Sequence, residues 1–195
     1  MKNLFWVLFA SLFCLTASAQ GKAQTEARVK EIRAAYADAK KKMDAAEKSI
    51  EKRNKTDITM CDNYAFGRQE KHVEFFYDIL DDEMDNDFRR HGKQVYFIRV
   101  KSNSNTLNGS GTTYEEYLVD DTGTLMFHYC KTTDDCRAGD ESRHYLDNKG
   151  NCNAIREIAN GKTTDKPRNI PSLKEDFDKY KSLFVNVVEM PNLLR

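Results

Sequence analysis

The chain has 195 residues, and its 31 basic and 31 acidic side chains balance to a formal net charge of zero. Binding to nucleic acid depends on a concentrated positive face that contacts phosphates, so this balance argues against a nucleic-acid partner. Charged residues make up 32% of the chain and aromatic residues 11%, which is typical of a well-solvated surface around an aromatic-rich core.

The first nineteen residues have the three parts of a secretory signal peptide. Lys2 makes the start positive, and an apolar run extends from Leu4 to Leu15. Ala17 and Ala19 are the small residues that a signal peptidase recognises, so we expect cleavage between Ala19 and Gln20. The mature protein is then secreted or periplasmic.

Two alternative interpretations of the leader would leave the chain attached to a membrane. An uncleaved span is disfavoured because the apolar run is shorter than the about 20 residues that cross a bilayer. A lipid anchor on Cys14 is disfavoured because Phe13, rather than a small residue, precedes it. We therefore expect removal of residues 1–19, no membrane span, and a single domain formed by residues 20–195.

The segment from Lys22 to about Asn54 predicts a long first helix, because it contains no Gly or Pro and is rich in strong helix formers. Its apolar positions recur at steps of three and four and form one stripe. The stripe consists of Val29, Ile32, Tyr36, Ala39, Met43, Ala46 and Ile50. We expect it to pack on a sheet of the same chain; the same spacing also allows a coiled-coil seam between two chains.

After Lys55 the apolar period changes to two, which predicts an antiparallel meander of about six or seven strands up to about Ile158. Two turns of this meander share a signature in which Asp opens the turn and Gly closes it, at residues 120–123 and 147–150. Such turns combine a type I turn with a bulge at the Gly. The polar segment from Ser102 to Thr112 has the composition of a flexible connector between strands.

The first of these turns predicts the register of its hairpin. With Asp120 opposite Thr124, Tyr117 lies opposite Phe127 on the core side of the sheet. Glu116 then lies opposite His128 on the other side and is the expected partner of its imidazole.

The polar segment 160–171 predicts a connector, and the capping box at residues 172–175 predicts the start of a short helix. Leu173, Phe177 and Tyr180 form its expected buried side. The apolar run from Phe184 to Met190 predicts a final edge strand. The predicted fold is therefore α+β, with a long N-terminal helix packed on the meander, a short C-terminal helix and a final strand.

The mature chain contains four cysteines, at positions 61, 130, 136 and 152. An even number in an exported protein favours two disulfides. We expect Cys130 to pair with Cys136 and Cys61 to pair with Cys152, although the spacing by itself leaves three connectivities open.

A zinc site is the alternative use of these thiols. His128 and Cys130 lie two apart on one strand and so point to the same side, with Cys136 and His144 following, and zinc accepts two sulfur and two nitrogen ligands. Because an oxidising compartment favours disulfides, we predict no metal and no cofactor. The acidic segment 81–87 lacks the Gly and the terminal Glu of a calcium loop, and we expect it to be a solvated loop.

The sequence contains no nucleophile elbow, no His-Glu-x-x-His helix and no phosphate-binding glycine loop. We therefore expect no enzyme, the alternative being one that combines a cysteine with His128 or His144. The expected function is a non-catalytic binding or interaction module that acts through an aromatic sheet face or through residues 102–112. Its partner would be a protein, a glycan or a small apolar ligand. The second hypothesis is a carrier that holds such a ligand in a cavity between the curled sheet and the helix.

Overall fold

The computed structural model describes residues 2–48, 54–65, 67–80, 89–90, 92–106, 109–134 and 137–189. The helices are α1 (Lys2–Lys48) and α2 (Pro171–Glu189). The strands are β1 (Lys55–Tyr64), β2 (Gly67–Ile79), β3 (Arg89–Arg90), β4 (Lys93–Thr106), β5 (Gly109–Val119), β6 (Leu125–Asp134), β7 (Arg137–Leu146), β8 (Asn153–Ala159), β9 (Lys162–Thr164) and β10 (Arg168–Asn169). The predicted segment 81–87 and Cys136 lie outside the described residues.

All of these strands belong to one antiparallel sheet, in the order β1-β2-β4-β5-β6-β7-β8-β10, with β3 beside β4 and β9 beside β8. The predicted α+β fold with a long N-terminal helix on a meander is confirmed, and the sheet has more strands than expected. Long strands pair with their sequence neighbours because each hairpin closes locally, so the meander needs no crossover.

The apolar stripe of α1 packs on the sheet of its own chain, as predicted. Val29, Ile32, Ala39, Met43 and Ala46 are buried against one sheet face. That face contributes Phe76, Phe97, Leu118, Met126, Phe127 and Tyr145. The stripe is thereby covered and does not form a seam between two chains. The helix begins at Lys2, earlier than the predicted start, and no described helix has an apolar stretch long enough to cross a membrane.

Helix α2 packs on the opposite face of the sheet. Consecutive residues of a strand point to opposite faces, and Phe75 and Phe76 of β2 belong to separate core clusters. Phe75 lies 5.3 Å from Phe184 of α2 between ring centroids, whereas Phe76 belongs to the cluster that contains α1. The result is a three-layer arrangement in which both sheet faces bury apolar side chains.

The predicted final strand from Phe184 to Met190 is wrong as far as the described residues extend, because residues 184–189 continue helix α2. The residues buried along α2 recur at steps of four, three and four: Leu173, Phe177, Tyr180 and Phe184. The run of valines that follows Phe184 has high strand propensity, but the tertiary contact of a helical stripe overrides it.

Both glycines of the Asp-to-Gly segments have the predicted positive φ, but only residues 120–123 form the predicted turn, in which the Gly123 N–H donates to the Asp120 carbonyl at 3.1 Å. Residues 147–152 form a longer loop, closed by the Asp147 N–H donating to the Asn153 carbonyl at 3.0 Å, and Cys152 also has a positive φ of 51°. Gly123 and Gly150 have φ angles of 79° and 73°, in the left-handed region that favours glycine. The carboxylate of Asp120 accepts hydrogen bonds from the backbone N–H groups of Thr122 and Thr124 at 2.9 and 2.8 Å. The local sequence therefore determines where these hairpins turn.

The register of the β5–β6 hairpin differs from the prediction beyond its first pair. Val119 lies opposite Leu125 as expected, but a bulge inserts Met126, so that Tyr117 lies opposite His128 rather than Phe127. Because side chains alternate between the two faces of a strand, one additional residue in β6 reverses the face of every later β6 side chain relative to the predicted register.

The bulge also separates Glu116 from His128. Glu116 pairs with Tyr129 and faces α1, and Phe127 pairs with Leu118 on the same face. The predicted contact between Glu116 and His128 is therefore wrong, and each residue belongs to a different side of the sheet.

The predicted Cys61–Cys152 disulfide is not formed, since both residues carry free thiols. Cys61 lies on the exposed edge strand β1, whereas Cys152 is buried just before β8. Five strands separate β1 from β8 in the sheet, which at about 4.8 Å a strand places them on the order of 25–30 Å apart. Cys130 is also a free thiol; its pairing with Cys136 stays a prediction because Cys136 is not described.

Candidate ligand-binding site

A cavity of about 400 Å³ lies between helix α1 and the sheet face that α1 covers. Helix α1 contributes Ile32, Arg33 and Tyr36. Tyr36 is four residues after Ile32 and three after Arg33, so it neighbours both on the helix surface. The sheet contributes Glu116, Phe127, Tyr129, Arg143 and Tyr145. The lining is thus both aromatic and charged.

Strand register brings the sheet residues together. Glu116, Tyr129 and Arg143 form one row across β5, β6 and β7, and Phe127 with Tyr145 forms the adjacent row. Both rows depend on the bulge in the β5–β6 hairpin, which turns Glu116 and Phe127 toward α1. The predicted register would have put these two side chains on different faces.

The aromatic rings line the cavity in tilted and edge-to-face contacts. The ring centroids of Tyr36 and Phe127 are 5.1 Å apart, and those of Phe127 and Tyr145 are also 5.1 Å apart. Such contacts hold each ring in one orientation. The rings therefore form an ordered aromatic wall, in which Phe127 and Tyr145 are each only 5% exposed.

The floor of the cavity contains an ion pair. Lys40 Nζ donates to the buried Glu116 carboxylate at 2.8 Å, and the hydroxyl of Tyr114 donates to it at 2.5 Å. The Tyr36 hydroxyl is a third donor. Burial opposes ionisation of Glu116, but Lys40 and the two hydroxyls outweigh it and lower the pKa of Glu116. The carboxylate therefore stays charged and is neutralised locally by Lys40.

Two arginines lie at the mouth of the cavity. Arg33 donates from Nε to the Tyr145 hydroxyl at 3.4 Å, and its guanidinium carbon lies 5.5 Å from the Tyr145 ring centroid. The Arg143 guanidinium carbon lies 5.8 Å from the Tyr129 ring centroid, and Arg143 also donates to Glu141 at 2.5 Å. Among the described residues, no carboxylate forms an ion pair with Arg33. The mouth therefore presents a guanidinium without a contacting carboxylate among the described residues, although Arg33 is near enough to Glu26 to help lower the pKa of that carboxyl.

A second polar cluster lies on the α2 side of the sheet, across β5, β6, β7 and β8. The Nδ1 atoms of His128 and His144 are 3.3 Å apart. His128 Nε2 lies 3.4 Å from Glu115 Oε1, and His144 Nε2 lies 3.5 Å from Glu157 Oε1. We call this row the histidine row. Burial and then the charge of His128 lower the pKa of His144.

The structure brings together only part of the predicted zinc set. His128 and His144 are neighbours, and Cys130 lies on the same face two residues from His128, but its Sγ contacts Thr132 Oγ1 at 3.8 Å. Cys136 is outside the described residues. Burial, and then the nearby Glu115 carboxylate, raises the pKa of Cys130, which disfavours the thiolate that a cysteine nucleophile requires.

The predicted connector from Ser102 to Thr112 is largely paired strand, because the ends of β4 and β5 form a ladder from Ser102 opposite Thr113 to Thr106 opposite Gly109. A polar cleft of about 340 Å³ lies beside this ladder. Its lining includes the side chains of Arg68, Asn103 and Thr112. None of the described residues that line this cleft is aromatic.

Asp57, His72 and Glu74 form a further group whose ligand atoms lie within 4.8 Å of one another. Lys55 Nζ contacts Glu74 at 2.6 Å and Asp57 at 3.2 Å, and Arg99 also pairs with Glu74. Because protein cations already neutralise these carboxylates, the group is better described as an ion-pair network than as a metal centre.

No sequence pattern marks Arg33, Arg143 or Glu116 as a residue of a binding site. One signal was present, namely an aromatic Tyr36 within an otherwise aliphatic helix stripe. The strand residues could not be assigned to the same face without the position of the bulge.

In the segments that the structure describes, two helices and one sheet form an α+β fold with a cavity of small-molecule size. Comparison of the chain with protein-family models, with curated proteins and with solved structures finds no match. We therefore infer the function from the geometry of the cavity.

Proposed function

We propose that this chain is a non-catalytic binding protein that holds a small, flat ligand carrying a negatively charged group in the cavity between α1 and the sheet. The observation that carries this proposal is the unpaired Arg33 guanidinium at the mouth of an aromatic cavity. The proposal replaces the expected apolar ligand with an anionic one, because a purely apolar molecule has no group that could pair with the guanidinium of Arg33.

The size and lining of the cavity support this proposal. A volume of about 400 Å³ falls within the range of sites that bury most of a small ligand. Aromatic walls favour a planar apolar body, and a guanidinium favours a carboxylate, sulfonate or phosphate, to which it donates paired hydrogen bonds. The ion pair of Glu116 and Lys40 supplies a polar floor that is already satisfied.

Export belongs to the proposal as well, and it rests on the tripartite leader in residues 1–19. A binding protein outside the cytoplasm would meet its ligand in the envelope or the medium. The uncharged carrier remains the second candidate, because four aromatic rings line the same cavity.

A matched pair of fluorescent probes tests the charge of the ligand. 1-Anilinonaphthalene-8-sulfonate and N-phenyl-1-naphthylamine share an aromatic body, and only the first carries a sulfonate. We expect the sulfonate to bind more tightly, and Arg33→Gln to weaken its binding about tenfold, the loss expected for one charge-assisted hydrogen bond. Binding of the neutral probe should change less than twofold. Fluorescence titration measures both dissociation constants.

Lys41→Gln is the control, because it also removes one positive charge from α1 but at a side chain that is 78% exposed and paired with Asp38. It should leave both dissociation constants unchanged. Equal affinity for the two probes, with no effect of Arg33→Gln on either, would contradict the anionic ligand and favour the uncharged carrier. Thermal unfolding of each variant checks that the fold is retained.

A further inference from the structure

The two imidazole rings of the histidine row have the same orientation relative to their neighbours. Each ring presents Nε2 to a carboxylate, Glu115 for His128 and Glu157 for His144, at 3.4 and 3.5 Å. The two Nδ1 atoms therefore face each other, at 3.3 Å, and the rings are inclined by only 8°. Within the described part of the chain, the contact of each Nδ1 atom is with the other Nδ1 atom.

Hydrogen placement follows from these neighbours. A carboxylate accepts hydrogen bonds, so it favours the tautomer in which Nε2 carries the hydrogen. Both Nδ1 atoms are then acceptors, and two lone pairs at 3.3 Å repel each other. A cation that both lone pairs can contact removes this repulsion.

The separation of the two nitrogens suits a zinc ion. Two nitrogens at about 2.05 Å from a tetrahedral zinc lie about 3.3 Å apart. Histidines that bind zinc commonly donate their other ring N–H to a carboxylate, which fixes the tautomer and raises the basicity of the ligating nitrogen. Glu115 and Glu157 have this position relative to the two rings.

The local charge also favours a cation. Glu115 and Glu157 contribute two negative charges, and Glu157 forms an ion pair with Arg168 at 3.2 Å. The Tyr117 hydroxyl donates to Glu115 at 3.0 Å and is uncharged. Lys71 is a further nearby cation, which helps lower the pKa of Glu115. No cation contacts Glu115 itself among the described residues, whereas the Asp57 group is contacted directly by Lys55 and Arg99.

We propose that His128 and His144 bind a divalent zinc-type ion through their Nδ1 atoms, with Glu115 and Glu157 as positioning residues and water in the remaining coordination positions. The side chain of His144 is 12% exposed and that of Glu157 is 21% exposed, so the ion reaches the pair from the β8 side. The site lies on the opposite face of the sheet from the proposed ligand cavity and is independent of it.

Isothermal titration calorimetry tests this site: the full chain is first treated with a chelator and is then titrated with zinc chloride. We expect one equivalent of zinc to bind, and His128→Gln and His144→Gln each to weaken binding at least tenfold. His72→Gln is the matched control, because His72 lies on the α1 face beside Glu74 and should leave the affinity unchanged. Cys130→Ser should also leave zinc bound, since no sulfur ligand is required.

Nitrogen-15 spectra of the wild-type imidazoles provide a readout that does not depend on a variant that folds. Zinc should shift the Nδ1 resonances of both rings while each Nε2 keeps its proton. Three outcomes would overturn the proposal: loss of zinc binding in Cys130→Ser with retention in both histidine variants, coordination through Nε2, or a pair that shares one proton and binds no zinc at stoichiometric concentration.

Discussion

Replacing Phe184 with Ala is expected to lower the free energy of unfolding by about 3–5 kcal/mol, the usual cost of truncating a fully buried aromatic side chain. Phe184 is 0% exposed. Its ring centroid lies 5.3 Å from that of Phe75 and 6.4 Å from that of Tyr77. The truncation would leave a cavity between α2 and the centre of the sheet, and urea denaturation monitored by circular dichroism measures the loss.

The neighbouring Asn186 distinguishes a helix from a strand at this position. In a strand, Phe184 and Asn186 would share a face, whereas in α2 Asn186 is exposed and Asn186→Ala should change stability by less than about 0.5 kcal/mol. Comparable losses for the two variants, or a small loss for Phe184→Ala, would contradict the packing of α2 on the sheet.

Glu74→Gln is expected to destabilise the protein by about 3 kcal/mol at pH 7, because a shift of one pKa unit corresponds to about 1.4 kcal/mol. The Glu74 carboxylate is buried and accepts from Lys55 Nζ at 2.6 Å and from Arg99 Nη2 at 2.8 Å. Burial alone would raise the pKa of Glu74, but Arg99 and Lys55 outweigh it and lower the pKa from its usual 4.5 to about 2.

The same shift determines the pH dependence of the effect. A carboxyl group whose pKa is lowered on folding contributes stability that is complete above its unfolded value and is lost as the pH falls through its folded value. The difference in stability between the wild type and Glu74→Gln should therefore shrink between about pH 4.5 and pH 2. Denaturant titrations at a series of pH values measure this difference.

Asp57→Asn is the control for the charge network. Asp57 also contacts Lys55, at 3.2 Å, but its side chain is 46% exposed, and exposed ion pairs contribute little. A difference between the wild type and Glu74→Gln that stays constant from pH 7 to pH 2 would show that Glu74 acts through packing rather than through its charge.

Local sequence patterns predicted much of the fold, and each correctly predicted element has its own physical cause. The stripe that includes Val29 and Met43 follows from helical periodicity alone, and its burial against the sheet is confirmed. The turn at residues 120–123 follows from an Asp that can accept from the next backbone N–H groups and a Gly that tolerates a positive φ. Each of these features depends on residues only a few positions apart.

The errors arise where contacts between distant segments outweigh local preference. The valine-rich end of the chain has strand propensity, yet Phe184 completes a helical stripe that fits the sheet face. The even number of cysteines predicts two disulfides, but Cys61 on β1 and Cys152, which precedes β8, lie at separated positions of the sheet and remain free thiols. Neither outcome is encoded within a short window of sequence.

Side-chain spacing and backbone preference are sufficient to predict the helical stripe, the strand periodicity and the turn at residues 120–123. Which side chains meet depends on packing between segments that are distant in the chain. The bulge that inserts Met126 places Glu116 toward Arg33 and places His128 beside His144, on opposite faces. A shift of one residue costs little locally but exchanges the faces of a strand, so both sites depend on packing that acts across the whole sheet.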